Sequence, residues 1–228
     1  MFNVLVLAFL VFNIDYANPE NSNFIESLTK KSNWEVLIRE NYSDIWHEYN
    51  SKKPANWIVK DGILYTLGGN GDIVTNKEYG NFELEVEWKI EKGGNSGIFY
   101  YVVEGEQYKS MWETGPEFQI IDERNYSIDL LEKQKTGACS DVLPPTKLAS
   151  NFPGEWNYTR IVAKNGNIEH WLNGKLVLSY SMDSDEWKNA VQESKFSKLN
   201  YAKIRKGKIG LQDHGDPVYF RKIRIREL

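Results

Sequence analysis

The sequence predicts an all-β protein, an antiparallel β-sandwich carrying one short helix, on three observations. Apolar and polar residues alternate with period two along much of the chain from Trp34 onward, the mark of half-buried strands. Asn-Gly and Asp-Gly pairs separate these runs and supply the positive-φ residues that tight hairpins need. Only one segment has helical spacing, and the strand–helix–strand rhythm of a parallel sheet is missing. Nor does the sequence repeat itself at the periods that build propellers or solenoids.

Taken in order, the strand-like runs are Trp57–Leu67, Phe82–Ile90, Gly97–Val103, Glu117–Ile121, Tyr158–Ala163, Ile168–Leu172, Lys175–Tyr180, Lys208–Gln212 and Val218–Ile225. The second is the clearest: Phe82, Leu84, Val86, Trp88 and Ile90 point one way, while Glu83, Glu85, Glu87 and Lys89 point the other. Three like charges on one strand face predict a solvated face. Hairpin turns are expected at Asp61-Gly62, Gly68-Gly69-Asn70-Gly71, Asn165-Gly166-Asn167 and Asn173-Gly174, the last being the strongest signal. The helix is read over Asp183–Lys195, with Asp183 and Glu186 as an N-terminal capping pattern and Trp187, Ala190 and Val191 on one face.

A chain of 228 residues with a net charge of −4 carries no basic footprint, which excludes nucleic acid as the expected partner. The single Cys139 excludes an internal disulfide and a cysteine-based zinc cluster, and a lone thiol ordinarily fills space in a core. Aromatic residues reach 14%, with 8 Trp and 13 Tyr. They serve either as packing units or as platforms for flat, partly apolar ligands such as sugars. The run Val4–Phe12 is too short to span a membrane and reads as the apolar stretch of a secretory signal. Residues 1–17 are accordingly expected to be a signal peptide, 18–32 a linker and 33–228 one sandwich domain. The protein is expected to be exported, periplasmic or extracellular, with no membrane partner after signal removal.

Alternation also sorts polar side chains. With Phe118 and Ile120 turned inward, Glu117 and Gln119 emerge together; with Ile209 and Leu211 inward, Gln212 emerges, followed by His214. Glu169 and Trp171 emerge from Ile168–Leu172 while His170 turns in, and Arg160 leaves the core beside Lys164. If these faces belong to one sheet, they converge on a groove suited to a polyol. The turn Gln212-Asp213-His214-Gly215-Asp216 gathers acid, amide and imidazole, and imidazole is the side chain best placed to move protons near neutral pH.

The stretch Gly207-Lys-Ile-Gly-Leu-Gln-Asp-His-Gly-Asp-Pro-Val-Tyr-Phe-Arg-Lys-Ile-Arg-Ile-Arg226 resembles the C-terminal signature of the 3-keto-disaccharide hydrolase domain family. So, in the same order, do Trp57-Ile-Val-Lys-Asp-Gly-Ile-Leu64, Tyr79-Gly-Asn-Phe-Glu-Leu84, Gly94-Asn-Ser-Gly-Ile-Phe99, Gly115-Pro-Glu-Phe-Gln-Ile-Ile-Asp122, Gly154-Glu-Trp-Asn157 and Ile168-Glu-His-Trp-Leu-Asn-Gly174. The opening motif departs from the family pattern, reading Leu37 to Trp46 without glycine between its aromatics. The resemblance runs from about Trp34 to Leu228 and implies a concanavalin A-like jelly roll that cleaves glycosides already oxidised to a ketone at C3.

Such a ketone acidifies the C2 hydrogen, so a base at C2, a donor at the glycosidic oxygen and hydrogen bonds to the enolate oxygen suffice. The catalytic candidates are Glu117 and His214, with Asp213 or Asp141 supporting the imidazole. Gln119, Gln212, Glu169 and Arg160 are candidate sugar ligands, with Trp112 or Trp171 stacking on the ring. The residue two on from Glu117 is Gln119, so the paired acids of ordinary glucanases on one strand are broken; Glu117 with Glu169 is the remaining pair. No cofactor is assigned. Asp213, His214 and Asp216 could contribute to an oxygen-rich metal site, but acidic turns usually cap loops. The alternative to an enzyme is a non-catalytic carbohydrate-binding module on the same sandwich.

Overall fold

Alternating runs of this kind become strands when their apolar faces can meet, and here they do so as two stacked antiparallel sheets. The computed structural model describes residues 33–51 and 53–228; the segments read above as signal and linker lie outside the described residues. The strands are β1 (Glu35–Val36), β2 (Trp46–Glu48), β3 (Ile58–Lys60), β4 (Ile63–Thr66), β5 (Ile73–Thr75), β6 (Phe82–Ile90), β7 (Asn95–Val102), β8 (Glu117–Ile121), β9 (Asn157–Lys164), β10 (Asn167–Leu172), β11 (Lys175–Ser181), β12 (Lys208–Leu211) and β13 (Val218–Glu227). The helix α1 spans Asp185–Gln192.

The larger sheet runs β11-β10-β9-β6-β13-β4-β3, with β1 added on β13, and the smaller runs β2-β5-β12-β7-β8. Consecutive neighbours are mostly distant in sequence, the wiring of a jelly roll. Phe82, Trp88, Phe118, Ile161, Leu211 and Phe220 fill the space between the sheets, all at most 1% exposed. Among the described residues, no helix is long and apolar enough to cross a membrane.

Three local readings change in the structure, and the direction of one pair of tyrosines is settled. The glycine run Gly68–Gly71 is not a hairpin turn; it carries the chain from β4 in one sheet to β5 in the other. The helix begins later than expected, because Ser184 is its N-cap and accepts a hydrogen bond from Trp187 N, while Asp183 pairs with Arg205. The Glu83, Glu85 and Glu87 face is covered rather than simply solvated. Register sets these acids opposite Arg226, Arg224 and Arg221 of β13, and Trp34 lies over Arg224 and Arg226 at 4.6 and 4.8 Å. Finally, both Tyr100 and Tyr101 face the core. Register shifts between Lys208 and Gly210 set these two tyrosines against Ile209 alone, and Tyr101 takes a φ of 59°. A bulge of this kind turns a side chain that alternation would have sent outward.

The inward histidine anchors a buried polar chain. Since a carbonyl only accepts, His170 Nδ1–H donates to Gly137 O at 3.0 Å, which leaves Nε2 to accept from the Tyr100 hydroxyl at 2.9 Å. Tyr100 in turn accepts from Tyr180 at 2.6 Å. Burial pushes the imidazole down to about 4, so it stays neutral. Cys139 lies at the end of this chain, 3.4 Å from the Tyr201 hydroxyl, with its thiol raised to about 11 by burial; it is packing, not a nucleophile. The segment around it hydrogen-bonds along the edge of β8, with Gln119 N donating to Ala138 O and Ser140 N to Glu117 O. That covers an otherwise open sheet edge and brings Ser140 and Asp141 beside Glu117.

The apolar core and the acid–arginine ladder should differ in weight. Phe220→Ala, which empties a fully buried site stacked on Trp57, is expected to cost about 3–5 kcal/mol in urea unfolding. Glu85→Gln, which breaks an ion pair whose arginine stands half exposed, should cost no more than about 1 kcal/mol.

Candidate active site

The outer face of the smaller sheet is built in rows that cross the strands. Register pairs Gly97 with Gln119, Gln212 N donates to Gly97 O, and the Leu211–Ile73 pair places Asp72 beside Gln212. One row therefore reads Asp72–Gln212–Gly97–Gln119, and its neighbour reads Val74–Gly210–Phe99–Glu117. Two glycines thin the floor. At Gly97 a β-carbon would stand 2.1 Å from Glu117 Oε1 and 2.8 Å from its Cδ, so the carboxyl lies flat over bare backbone. At Gly210 it would meet Met111 Sδ at 2.3 Å. Met111 caps that end of the face in a small apolar cluster with Val74, Phe99 and Val102.

What remains open is a cavity of about 290 Å³. Its floor carries Glu117, Gln119, Asn95 and Gln212, and its walls come from loops: Trp112, Tyr126, Ile128, Ser140, Asp141, Lys195 and His214. Lys195, delivered just after α1, pairs with Asp141, whose other oxygen accepts from Gln134 Nε2 at 2.9 Å. Burial pushes the Glu117 carboxyl up to about 8; Ser140 and Lys195 pull it back, and the carboxylates of Asp141 and Asp72 add to the rise. A group in that state carries its proton at neutral pH and can donate it. Asp72 is raised to about 6, again chiefly by burial.

Of the residues singled out from sequence, Glu117, Gln119, Gln212, His214, Trp112 and Asp141 all line this cavity. Glu169, Trp171 and Arg160 do not. They stand on the outer face of the larger sheet, on β9 and β10, because outward parity on two different sheets means opposite faces of the sandwich. There Trp171 Nε1 donates to Glu169 at 2.7 Å and Arg160 lies 4.4 Å above the Trp171 ring. The Glu117–Glu169 acid pair is thereby ruled out.

Asp213 is also not in the cavity. Its carboxylate accepts from Thr66 Oγ1, Gly69 N, Asn70 N and Gly215 N at 2.6–3.1 Å, and its own N–H donates to Asp72 at 2.9 Å. It fastens the loop after β12 to the glycine run, where Gly68 passes so close that a β-carbon would sit 2.3 Å from Gly215 O. The imidazole of His214 instead has Asp216 at 3.9 Å, and Asp216 accepts from Asn95 N at 3.1 Å. Among the described residues, no three or more His, Cys, Asp or Glu side chains are grouped so as to hold a metal ion.

The sequence reading missed Asn95, Tyr126, Ser140 and Lys195. Asn95 shares parity with Gly97 and was legible in principle; the other three sit in loops, where no periodicity reports direction.

Residues 33–226 match the 3-keto-alpha-glucoside-1,2-lyase-like domain model. The chain belongs to that family. A 3-keto-disaccharide hydrolase of Bacteroides thetaiotaomicron is 31% identical over 215 residues, 80% of this chain and 74% of the relative. Among solved structures, a candidate glycosyl hydrolase of Parabacteroides distasonis superposes with a TM-score of 0.81 at 37% identity, over 86% of this chain and 94% of the other. A Bacillus subtilis protein of galectin-like fold, at 10% identity and a TM-score of 0.52 over 85% and 92% of the two chains, shares the fold.

The raised Glu117 carboxyl makes a signed prediction for stability. Its folded value of about 8 lies above the ordinary 4.5, so its contribution is complete below about 4.5 and is lost as pH rises through 8. Unfolding free energy should fall across that window, and Glu117→Gln should flatten the fall between pH 6 and 8.5, where Asp72 has already titrated. An unchanged slope in chemical denaturation would contradict the protonated carboxyl.

Proposed function

We propose that this protein cleaves the glycosidic bond of sugars carrying a ketone at C3, by elimination followed by hydration. The observation that carries the reading is one small polar cavity holding the buried Glu117 carboxyl, whose burial favours its protonated form, and the solvent-reached imidazole of His214. Family membership and the hydrolase name of the B. thetaiotaomicron relative support a carbohydrate substrate.

In this scheme His214 takes the hydrogen from C2, whose electrons form the enolate with C3. The enolate then re-forms the C3 carbonyl, a C1–C2 double bond appears, and the C1–O bond breaks as Glu117 protonates the departing oxygen. Water adds at C1, giving a proton to Glu117, while His214, whose exposed imidazole has exchanged the abstracted proton with solvent, reprotonates C2. Both groups end as they began, and the sum is hydrolysis. Gln119 and Gln212 hydrogen-bond the ring hydroxyls, and Trp112, 38% exposed at the rim, offers a stacking face. A carboxylate nucleophile is not needed, which fits the lack of a second acid beside Glu117 on β8. As a member of an exported glycan-degrading system, the protein would meet its substrate after an oxidising enzyme has acted.

The test is turnover of a 3-keto-disaccharide in heavy water. The wild type should release monosaccharide with deuterium at C2, and Glu117→Gln and His214→Gln should each lower the rate at least about 10²-fold. Release without deuterium would replace elimination with direct displacement. Binding without turnover, indifferent to His214→Gln, would make the protein a carbohydrate-binding module.

A further inference from the structure

Tyr126 reaches the cavity from the loop after β8, outside every motif that sequence alone brought forward. Its surroundings assign the direction of its hydrogen bonds. Gln119 Nε2 donates to Asn95 Oδ1 at 3.0 Å, which leaves the Asn95 amide nitrogen as the donor to the Tyr126 hydroxyl, at 3.2 Å. Asn95 itself is 8% exposed, and the contacts at the two ends of its side-chain amide set which way that amide faces. A phenol has one proton and accepts through its oxygen. Here the oxygen is already accepting, and among the described residues no acceptor takes the proton.

We propose that Tyr126 is a further catalytic residue: a neutral donor whose hydroxyl proton, aimed into the cavity by the Gln119–Asn95 relay, binds the C3 oxygen of the substrate as it becomes an enolate. The proposal rests on the keto-sugar reading above. When the C2 proton passes to His214, negative charge collects on the C3 oxygen, and the Tyr126 hydrogen bond strengthens without proton transfer. As the carbonyl re-forms and the C1–O bond breaks, the bond weakens again and Tyr126 is unchanged. The other donors are less suited. Lys195 is drawn to Asp141, and Gln119 gives one of its two amide protons to Asn95 and keeps the other for the ring hydroxyls. An oriented donor of this kind pays no reorganisation at the moment of reaction.

The experiment is a double-mutant cycle on the intact protein with a 3-keto-disaccharide, reading kcat, KM and C2 deuterium exchange. Tyr126→Phe deletes only the hydroxyl and should lower kcat by about 10²–10³-fold with little change in KM, exchange falling in step. Asn95→Asp supplies a carboxylate that only accepts, so it should draw the Tyr126 proton out of the cavity and lower kcat at least about tenfold with the ring still present. In the Tyr126→Phe background the Asn95→Asp change should then cost almost nothing. Retention of activity within about threefold in Tyr126→Phe overturns the donor, as does an Asn95→Asp loss that persists undiminished in that background. If the wild type turns over and Glu117→Gln is dead while Tyr126→Phe is fully active, only this donor is wrong. If the wild type neither cleaves nor exchanges, the keto-sugar reading fails and takes the donor with it.

Discussion

The Glu117 carboxyl lies against the bare backbone of Gly97, where a β-carbon would stand 2.1 Å from its Oε1. That contact can form only where a strand neighbour has no side chain, and it places an acid on the sheet rather than above it. Water is thereby kept from most of its surface, and the residue is 8% exposed. The cost of ionising it there keeps its proton in place near neutral pH. The surrounding parts are arranged around this acid: Ser140 and the Lys195–Asp141 pair on one side, Gln119 and Gln212 in the next row, and His214 on the loop that Asp213 ties down. Shifting Glu117 off Gly97 would return it to water and remove the donor.

Such placement depends on rigid edges. The buried chain from Gly137 through His170 and Tyr100 to Tyr180 fixes the segment that runs along β8, and that segment brings Ser140 and Asp141 to the cavity. At the opposite side the Asp213 carboxylate takes donors from Thr66, from the glycine run and from Gly215 in its own loop, which holds the turn bearing His214. Neither group touches the proposed substrate. Both explain why a loop-built wall can stand at fixed distance from a strand-built floor.

Alternation made the strands and the outward parity of Glu117, Gln119 and Gln212 legible, since side-chain direction in a strand is a local property. It could not say which sheet a strand joins, and that is why Glu169, Trp171 and Arg160 were grouped with the cavity although β9 and β10 lie in the other sheet. The aromatic excess divides the same way. Trp88, Phe118 and Tyr100 are core, Trp171, Trp156 and Trp34 stack on arginines of the larger sheet, and Trp112 alone of the eight tryptophans lines the cavity. Tyr101 faces inward because of a bulge, and a bulge is set by pairing between strands distant in sequence. Tyr126 and Lys195 come from loops, whose course depends on the packing beneath them.

The state of one carboxyl is the most direct measure of this account. Carbon-13 NMR of glutamate-labelled protein, with the Glu117 resonance assigned by its loss in Glu117→Gln, should show a carboxyl that remains protonated at pH 7 and titrates near 8. A resonance already at the carboxylate position at pH 6, titrating near the ordinary 4.5, would contradict it.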